Sequence, residues 1–117
     1  MPHHKLSSEV EECIDLCREC EKTCLSSIEH CLELGGRHAR PEHIGLLVDC
    51  ADICGTSARF MIRDSHLHPR VCASCADVCE ACAMACESLS DDQMMRQCAD
   101  ACRRCAESCR RMSTMAA

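Results

Sequence analysis

The feature that most constrains this chain is the spacing of its cysteines, which follow one another at alternating intervals of three and four residues. The clearest stretch is CADVCEACAMAC at 75–86, and related spacings recur along most of the chain. Residues three and four apart lie on one face of an α-helix, so the pattern predicts helices that each carry a stripe of thiols. A 4-3-4 stripe occupies the positions that form the packing seam of a helical bundle.

The first predicted helix is bounded by a capping motif and a glycine pair. Ser8 and Glu11 have the spacing of a capping box, and Gly35 and Gly36 are typical of a helix C-terminus. These signals predict a first helix over about residues 8–35.

Prolines and a second capping motif open the other three helices. Pro41 suits the first turn of a helix over about 41–65, and Pro69 suits the first turn of another over about 69–89. The sequence SDDQ has the capping-box pattern and predicts a fourth helix over about 91–112.

Short connections make consecutive helices antiparallel neighbours, which predicts the architecture. The expected fold class is all-α, an antiparallel up-down-up-down four-helix bundle with a Cys-lined core, forming a single domain over residues 1–117. The chain has one Phe and no Trp or Tyr, so cysteine must supply much of the core. The predicted lining consists of sixteen residues: Cys13, Cys17, Cys20, Cys24, Cys31, Cys50, Cys54, Cys72, Cys75, Cys79, Cys82, Cys86, Cys98, Cys102, Cys105 and Cys109.

Antiparallel helices rising about 1.5 Å per residue should sort these thiols into levels. One middle level is expected to contain Cys20, Cys54, Cys82 and Cys98. A second is expected to contain Cys24, Cys50 and Cys86. A third, towards the opposite end, is expected to contain Cys13, Cys72 and Cys109.

Charge and hydropathy limit which partners and which cellular compartment we expect for this protein. The net charge is −6, and no basic stripe interleaved with aromatic residues exists, which argues against nucleic acid. No apolar run approaches the ~18 residues of a membrane span, and the first residues resemble no export leader. We therefore expect a cytoplasmic protein with reduced thiols and no membrane partner, and metal binding becomes the leading interpretation of the cysteines.

Alternative roles for the cysteines meet physical objections. Leucine would fill a core with more apolar area and no oxidation liability, and thiols three or four residues apart on one helix are poorly placed for disulfides. Zinc and iron–sulfur sites usually take their ligands from turns and loops. Zinc in Cys₄ sites would also leave about half of the thiolate charge uncompensated in the core. Inter-helix disulfides and local zinc sites at the CxxC pairs stay open on the sequence alone.

Cu(I) fits the pattern best. It is a soft monovalent cation that prefers sulfur ligands and can be held by two or three of them. One Cu(I) per thiolate would make the filled core neutral, so sixteen cysteines could accommodate on the order of sixteen ions. The sequence therefore predicts multiple Cu(I) ions per chain and a stoichiometry suited to storage.

The pattern also resembles the bacterial copper storage proteins, especially their cytosolic branch. The resemblance rests on CxxxCxxCxxxC at 13–24, CxxxC at 50–54, CxxCxxxCxxCxxxC at 72–86 and CxxxCxxCxxxC at 98–109. It implies a four-helix bundle that binds many Cu(I) ions through inward cysteines and assembles as a homotetramer. The second helix departs from the pattern, because Ser57 and Met61 follow its two cysteines in phase.

The two ends of the predicted cysteine-lined core differ. His43 and Met95 lie in phase with the cysteine stripe near Cys31, and we expect these residues to line a mouth through which Cu(I) passes. Leu6 and Val10 should plug the other end. Met61 and Met112 are candidate accessory thioether ligands there, although methionine is more often core filler.

The predicted function is high-capacity Cu(I) storage or sequestration without catalysis. No Ser/His/Asp constellation, paired catalytic carboxylates or cofactor-binding loop is present. An iron–sulfur (ferredoxin-like) redox protein and a zinc or thiol buffer are the alternatives. A second apolar stripe on the first helix would suit an oligomer contact and includes Ile14, Leu25, Ile28 and Leu32.

Overall fold

Four long helices build the fold in this computed structural model, which describes residues 6–115. The long helices are α1 (Ser8–Leu34), α2 (Pro41–Ile62), α3 (His68–Glu87) and α4 (Gln93–Ser113), and a short 3-10 helix (Gly36–Ala39) joins α1 to α2. Within the described residues there is no β-strand. The limits of the predicted domain, residues 1 and 117, lie outside that part of the chain.

The helices form the predicted up-down-up-down bundle. α1 packs against α2 and α4, and α3 packs against the same two helices. The described part is an elongated body of 55 × 23 × 20 Å, which is the shape of four long helices lying side by side. The predicted all-α fold class is confirmed.

Two helix starts differ from the predicted capping boxes. The Oγ of Ser7, rather than Ser8, accepts a hydrogen bond from the backbone N–H of Val10 at 3.2 Å, so Ser7 is the N-cap of α1. α4 begins at Gln93 and not at 91, because Asp92 is its N-cap and accepts from the N–H of Met94 at 2.9 Å. In both cases the residue with extended backbone takes the capping role.

Three of the four helices, α1, α2 and α3, end slightly inside the predicted limits, whereas α4 ends at Ser113, one residue beyond its predicted end. α1 ends at Leu34, and Gly35 follows with φ 69°, a conformation that favours glycine. α2 ends at Ile62 rather than about 65, and Asp64 just beyond it has φ 53°. α3 ends at Glu87 rather than about 89. Residue propensity alone does not locate the last turn of a helix, because the regular helical hydrogen bonds fray at the helix ends.

The core is built from thiols and small side chains. All sixteen cysteines lie within the described residues and are buried, and alanines such as Ala76 and Ala106 pack beside them. Leu47 and three methionines are the largest fully buried side chains. Such a core lacks the apolar area that aromatic anchors supply, so the bundle gains less from burial than an ordinary helical core of the same size.

A membrane span requires a helix that is both long and apolar. None of the helices within residues 6–115 meets both requirements.

Candidate metal centre

The cysteines form a continuous column of sulfur atoms along the bundle axis. All sixteen are free thiols with no exposed surface. Sγ atoms on different helices lie 3.6 Å apart for Cys17 and Cys109, 3.7 Å for Cys20 and Cys50, and 3.9 Å for Cys24 and Cys98. These distances far exceed the ~2.05 Å of a disulfide, whereas one metal ion about 2.3 Å from each sulfur can bridge them.

Five groups of four thiols have all their Sγ atoms within 4.8 Å of one another. Neighbouring groups share members, so a thiolate in one group can bridge to an ion in the next. The groups are Cys17, Cys75, Cys105 and Cys109; Cys54, Cys75, Cys79 and Cys105; Cys20, Cys50, Cys54 and Cys79; Cys20, Cys24, Cys50 and Cys102; and Cys24, Cys82, Cys98 and Cys102. Overlapping sites of this kind suit a polynuclear metal–thiolate cluster better than isolated ions.

The levels predicted from helix rise are only partly right. Cys13 does lie beside Cys109, with their Sγ atoms 3.7 Å apart. Cys82 and Cys98, however, group with Cys24 rather than with Cys20. The prediction of a level shared by Cys20, Cys54, Cys82 and Cys98 is therefore wrong, because counting residues does not give the axial offset that the connecting turns impose between helix pairs.

Burial determines the electrostatics of the thiol column before metal binds. Among residues 6–115 no Lys or Arg is buried, so no fixed positive charge lies in the core to stabilise thiolates. Burial raises the pKa of Cys31 to about 11, with the nearby Asp92 carboxylate contributing in the same direction. The side-chain hydrogen bond between Cys54 and Cys105 raises the pKa of Cys54, and burial acts in the same direction. Without metal, the core stays neutral when its thiols are protonated. Replacing each thiol proton by one monovalent cation keeps the core neutral.

The predicted mouth residues come together at one end of the column. The Sγ of Cys31 lies 3.5 Å from Nε2 of His43 and 3.7 Å from Sδ of Met95, and we name these three residues the mouth cluster. Each belongs to a different helix, and all three are buried. His43 also lines a surface cleft of about 270 Å³ together with Leu46 and Leu89, so one side of the cluster approaches solvent.

The imidazole of His43 is prepared to act as a ligand. Burial lowers the pKa of His43, which keeps the ring neutral at physiological pH and leaves one ring nitrogen with a free lone pair. One nitrogen and two sulfur donors therefore lie close together, and this is a set of ligands that a soft metal ion prefers.

The opposite end is closed by larger apolar side chains. Met61 and Met112 are fully buried there, Val10 is buried, and Leu6 packs against the core. Sequence reasoning missed one feature at this end: Nδ1 of His68 lies 3.9 Å from the Sγ of Cys72. The signal was present, since residues four apart share a helix face.

The cysteine stripe of α2 is interrupted at a buried hydroxyl. Ser57 follows Cys54 in phase and is completely buried, yet its Oγ has no hydrogen-bond partner within the described structure. A buried hydroxyl without a partner is destabilising. At this point a serine replaces a sulfur donor, and the column of thiols is incomplete on the α2 side.

Sequence comparisons relate this chain to known cysteine-rich proteins. The sequence profile described as "Csp: Copper storage protein" matches residues 6–114. A curated relative from Bacillus subtilis (strain 168), named "Uncharacterized cysteine-rich protein YhjQ", is 41% identical over 76 residues, which are 65% of this chain and 70% of that protein.

Two solved structures share the fold over nearly the whole chain. The Cu(I)-bound copper storage protein BsCsp3 superimposes with a TM-score of 0.85 at 39% identity, covering 92% of this chain and 100% of that one. A cytosolic copper storage protein from Streptomyces lividans, in a form described as holding five coppers, gives a TM-score of 0.80 at 28% identity, covering 93% of this chain and 95% of the other. The match of the family profile to nearly every described residue decides the assignment, and this chain belongs to the copper storage protein family.

Proposed function

We propose that this protein stores Cu(I) at high capacity in the thiolate column of its core. The observation that carries the proposal is the set of five overlapping four-thiol groups, all buried and with no fixed positive charge among them. Each Cu(I) that enters displaces a thiol proton and forms Cu–S bonds, so the core stays neutral as it fills. The ligand set is the sixteen cysteines already named.

Charge is the reason for preferring Cu(I) over the alternatives. A divalent ion in each four-thiol group would leave two negative charges per filled site, and the buried core within residues 6–115 offers no cation to compensate them. Iron–sulfur clusters would require inorganic sulfide as well as space between the helices, whereas the Sγ atoms already lie 3.6–4.0 Å apart. The Cu(I)-bound and copper-loaded forms of two relatives support the same choice.

The mouth cluster is the proposed passage between solvent and the column. Cys31 lies beyond the five four-thiol groups, and its Sγ contacts the imidazole of His43 and the thioether of Met95. A ligand set with a single thiolate, one imidazole nitrogen and one thioether binds Cu(I) less tightly than several bridging thiolates do, so an ion there can move inward to a stronger site. Met61 and Met112 are proposed as accessory thioether donors at the closed end, where both are buried.

The setting of this function is also a proposal. We infer a non-catalytic role in the cytoplasm, supported by a relative described as cytosolic and by a core that keeps its thiols away from solvent. We also propose a single domain over residues 1–117, and one continuous core with residues from all four long helices supports this.

A homotetramer is the proposed assembly. Leu25 and Leu32 on α1 are 53% and 56% exposed, and Ile14 and Ile28 beside them are only half-buried against the core, so α1 carries an apolar stripe at the edge of its core-facing side. Apolar residues arranged this way favour contact between copies of a chain. Light scattering on Leu25→Glu and Leu32→Glu variants should show smaller particles than the wild type, and unchanged mass would contradict the stripe as the interface.

Metal competition tests the choice of ion. Protein equilibrated anaerobically with equal amounts of Cu(I) and Zn(II) should retain copper and release zinc, as measured by elemental analysis after desalting. Preferential retention of zinc would favour the buffer alternative. Iron and sulfide in protein isolated anaerobically would favour the redox alternative.

A further inference from the structure

Two arginines line the cleft that leads to the mouth cluster. This cleft, which we name the mouth cleft, has a volume of about 270 Å³ and lies between the 3-10 helix, the start of α2 and the end of α3. Its charged lining residues are Arg37, Arg40 and Glu42. Among residues 6–115, His43 is the one residue that belongs to both the mouth cleft and the mouth cluster. A molecule bound in the cleft therefore lies next to the first proposed copper ligands.

The two guanidinium groups of the mouth cleft are available to bind an anion. In the described part of the chain, Arg37 uses one of its five N–H donors: Nη2 donates to the backbone oxygen of Ser88 at 3.2 Å, which holds the side chain against the cleft wall. Within the same residues, neither Arg37 nor Arg40 has a carboxylate partner. Arg103 and Arg110 on α4, in contrast, are each paired with a carboxylate.

The lining of the mouth cleft is positive, although the net charge of the protein is −6. The two arginines outweigh the single carboxylate of Glu42. Asp91 and Asp92 line a neighbouring cleft that shares Arg37, and Oδ2 of Asp92 is already in contact with two histidines. An anion repelled by the protein as a whole is therefore attracted locally at the entrance to the thiol column.

The size of the mouth cleft suits a small molecule. Its volume of about 270 Å³ is close to the lower limit of about 300 Å³ for small-molecule sites. Leu46 and Leu89 add apolar surface beside the charged groups. The lining thus fits a ligand that combines negative charge with a short apolar stem.

We propose that the mouth cleft binds a small carboxylate-bearing thiol that carries Cu(I), and that Arg37 and Arg40 pair with its carboxylates. This inference rests on the proposed storage of Cu(I) and on the mouth cluster as its passage. A guanidinium group binds a carboxylate through two parallel N–H···O bonds, and a thiolate is a soft donor that holds Cu(I) well. Arginines repel a free Cu(I) ion, so their position beside His43 favours copper that arrives in an anionic complex.

Copper transfer from such a carrier is a ligand exchange without oxidation or reduction. The S–Cu bond of the carrier breaks and an S–Cu bond to Cys31 forms, while the thiol proton of Cys31 passes to the released carrier thiolate. His43, whose Nε2 lies 3.5 Å from the Sγ of Cys31, is placed to hold the ion during the exchange. Pairing with the arginines keeps the carrier in the cleft and so raises the local concentration of copper beside these ligands.

Matched carriers test the role of the carboxylates. Glutathione is a tripeptide thiol with two carboxylates, and its diethyl ester has the same thiol with both carboxylates blocked. Each carrier supplies Cu(I) to reduced wild-type protein, and the initial rate of uptake is measured against carrier concentration by elemental analysis after rapid desalting. Glutathione should reach half of the maximal rate at an about fivefold lower concentration than the diethyl ester, and added salt should reduce this difference. Equal half-saturating concentrations would overturn the proposal.

Arginine variants make the assignment specific. The combined variant Arg37→Gln, Arg40→Gln should raise the half-saturating concentration of the glutathione carrier by about fivefold and leave that of the diethyl ester unchanged. Arg111 is exposed and lies in the last turn of α4, at the opposite end of the bundle from the mouth. Arg111→Gln is therefore the matched control and should take up copper as the wild type does. A combined variant that matches this control with the glutathione carrier would contradict the assignment.

A copper-free measurement separates this proposal from the storage proposal. S-Methylglutathione keeps both carboxylates but has no free thiol, so its binding does not depend on copper. It should shift the Nε–H signals of Arg37 and Arg40 in ¹H–¹⁵N spectra of the metal-free protein, whereas its diethyl ester should not. A normal Cu(I) plateau without these shifts would overturn the mouth cleft alone, and the shifts together with a low plateau would count against storage alone.

Discussion

The Sγ of Cys31 and the Nε2 of His43 lie 3.5 Å apart at one end of the thiol column, although the two residues belong to different helices. Both side chains are buried, and burial lowers the pKa of His43 while it raises that of Cys31. Both donors are therefore neutral in the empty protein. A Cu(I) ion that binds between them needs to displace only the thiol proton.

The first prediction concerns the rate of copper transfer through this mouth. Replacing His43 by Ala and Met95 by Leu removes two of the three donors and keeps Cys31. Cu(I) loading and its removal by a chelator should slow by about tenfold, a typical loss for removing a supporting group at a metal site. Stopped-flow absorbance with a chromophoric Cu(I) chelator measures both rates.

The control for the mouth is a histidine of the surface. His66 is exposed and lies in the turn between α2 and α3, so His66→Ala should transfer copper at the wild-type rate. If the double variant loads and releases copper as fast as His66→Ala does, copper reaches the column by another path.

The second prediction concerns the buried hydroxyl of Ser57. Because its Oγ has no hydrogen-bond partner within the described structure, Ser57→Ala should raise the free energy of unfolding of the empty protein by about 1 kcal/mol. Ser27 provides a matched control, since it is equally buried but its Oγ donates to the backbone oxygen of Thr23 at 2.8 Å. Urea unfolding of Ser27→Ala should show no gain, and an equal gain for both variants would trace the effect to helix propensity.

The third prediction compares a shared thiol with a peripheral one. Cys54 belongs to two of the five four-thiol groups, and Cys86 belongs to none. Cys54→Ala should lower the Cu(I) plateau by about two ions, because a bridging thiolate serves more than one metal, whereas Cys86→Ala should lower it by about one. Both variants remove the same atoms from a fully buried position, so their folding costs are comparable. Equal losses would argue against a cluster of bridged ions.

The fourth prediction is a loss of stability of the empty protein at high pH. Burial raises the pKa of Cys31 from 9.0 to about 11, so between these values the folded chain holds a proton that the unfolded chain has released. The folded state then binds more protons than the unfolded state, and the free energy of unfolding falls as pH rises. The full contribution is present below pH 9.0 and is lost through about pH 11.

Urea midpoints on either side of this window measure the effect. The midpoint should decrease from pH 9.0 towards pH 11 for the empty protein. Cu(I)-saturated protein should show a smaller decrease, because metal has already replaced the thiol protons. A midpoint that stays constant or rises in the empty protein would contradict the assigned pKa direction.

The helices and the inward cysteines were predictable because both depend on local periodicity. A stripe such as Cys72 to Cys86 has the same period as the helix that carries it, so one pattern gives the element and its buried face. The mouth cluster was also predictable, since His43 and Met95 continue the cysteine phase of their own helices.

What the sequence did not reveal depends on relations between helices. The grouping of Cys82 and Cys98 with Cys24 follows from the axial offset of the α3–α4 pair, and residue counting carries no information on that offset. The contacts of Asp92 with His30 and His38 were not predicted, because the residues around Asp92 indicate only a capping motif. The second oxygen of Asp92 meets His30 and His38 only after the bundle has closed.

The most direct test of the central claim is the number of Cu(I) ions that one chain binds. Anaerobic titration of the fully reduced, metal-free protein with Cu(I), in competition with a chromophoric chelator, should reach a plateau well above about eight ions per chain and towards one per thiol. A matched titration with Zn(II) should saturate at a lower number and be displaced by Cu(I). Saturation near four ions, with Zn(II) retained in preference to Cu(I), would contradict copper storage.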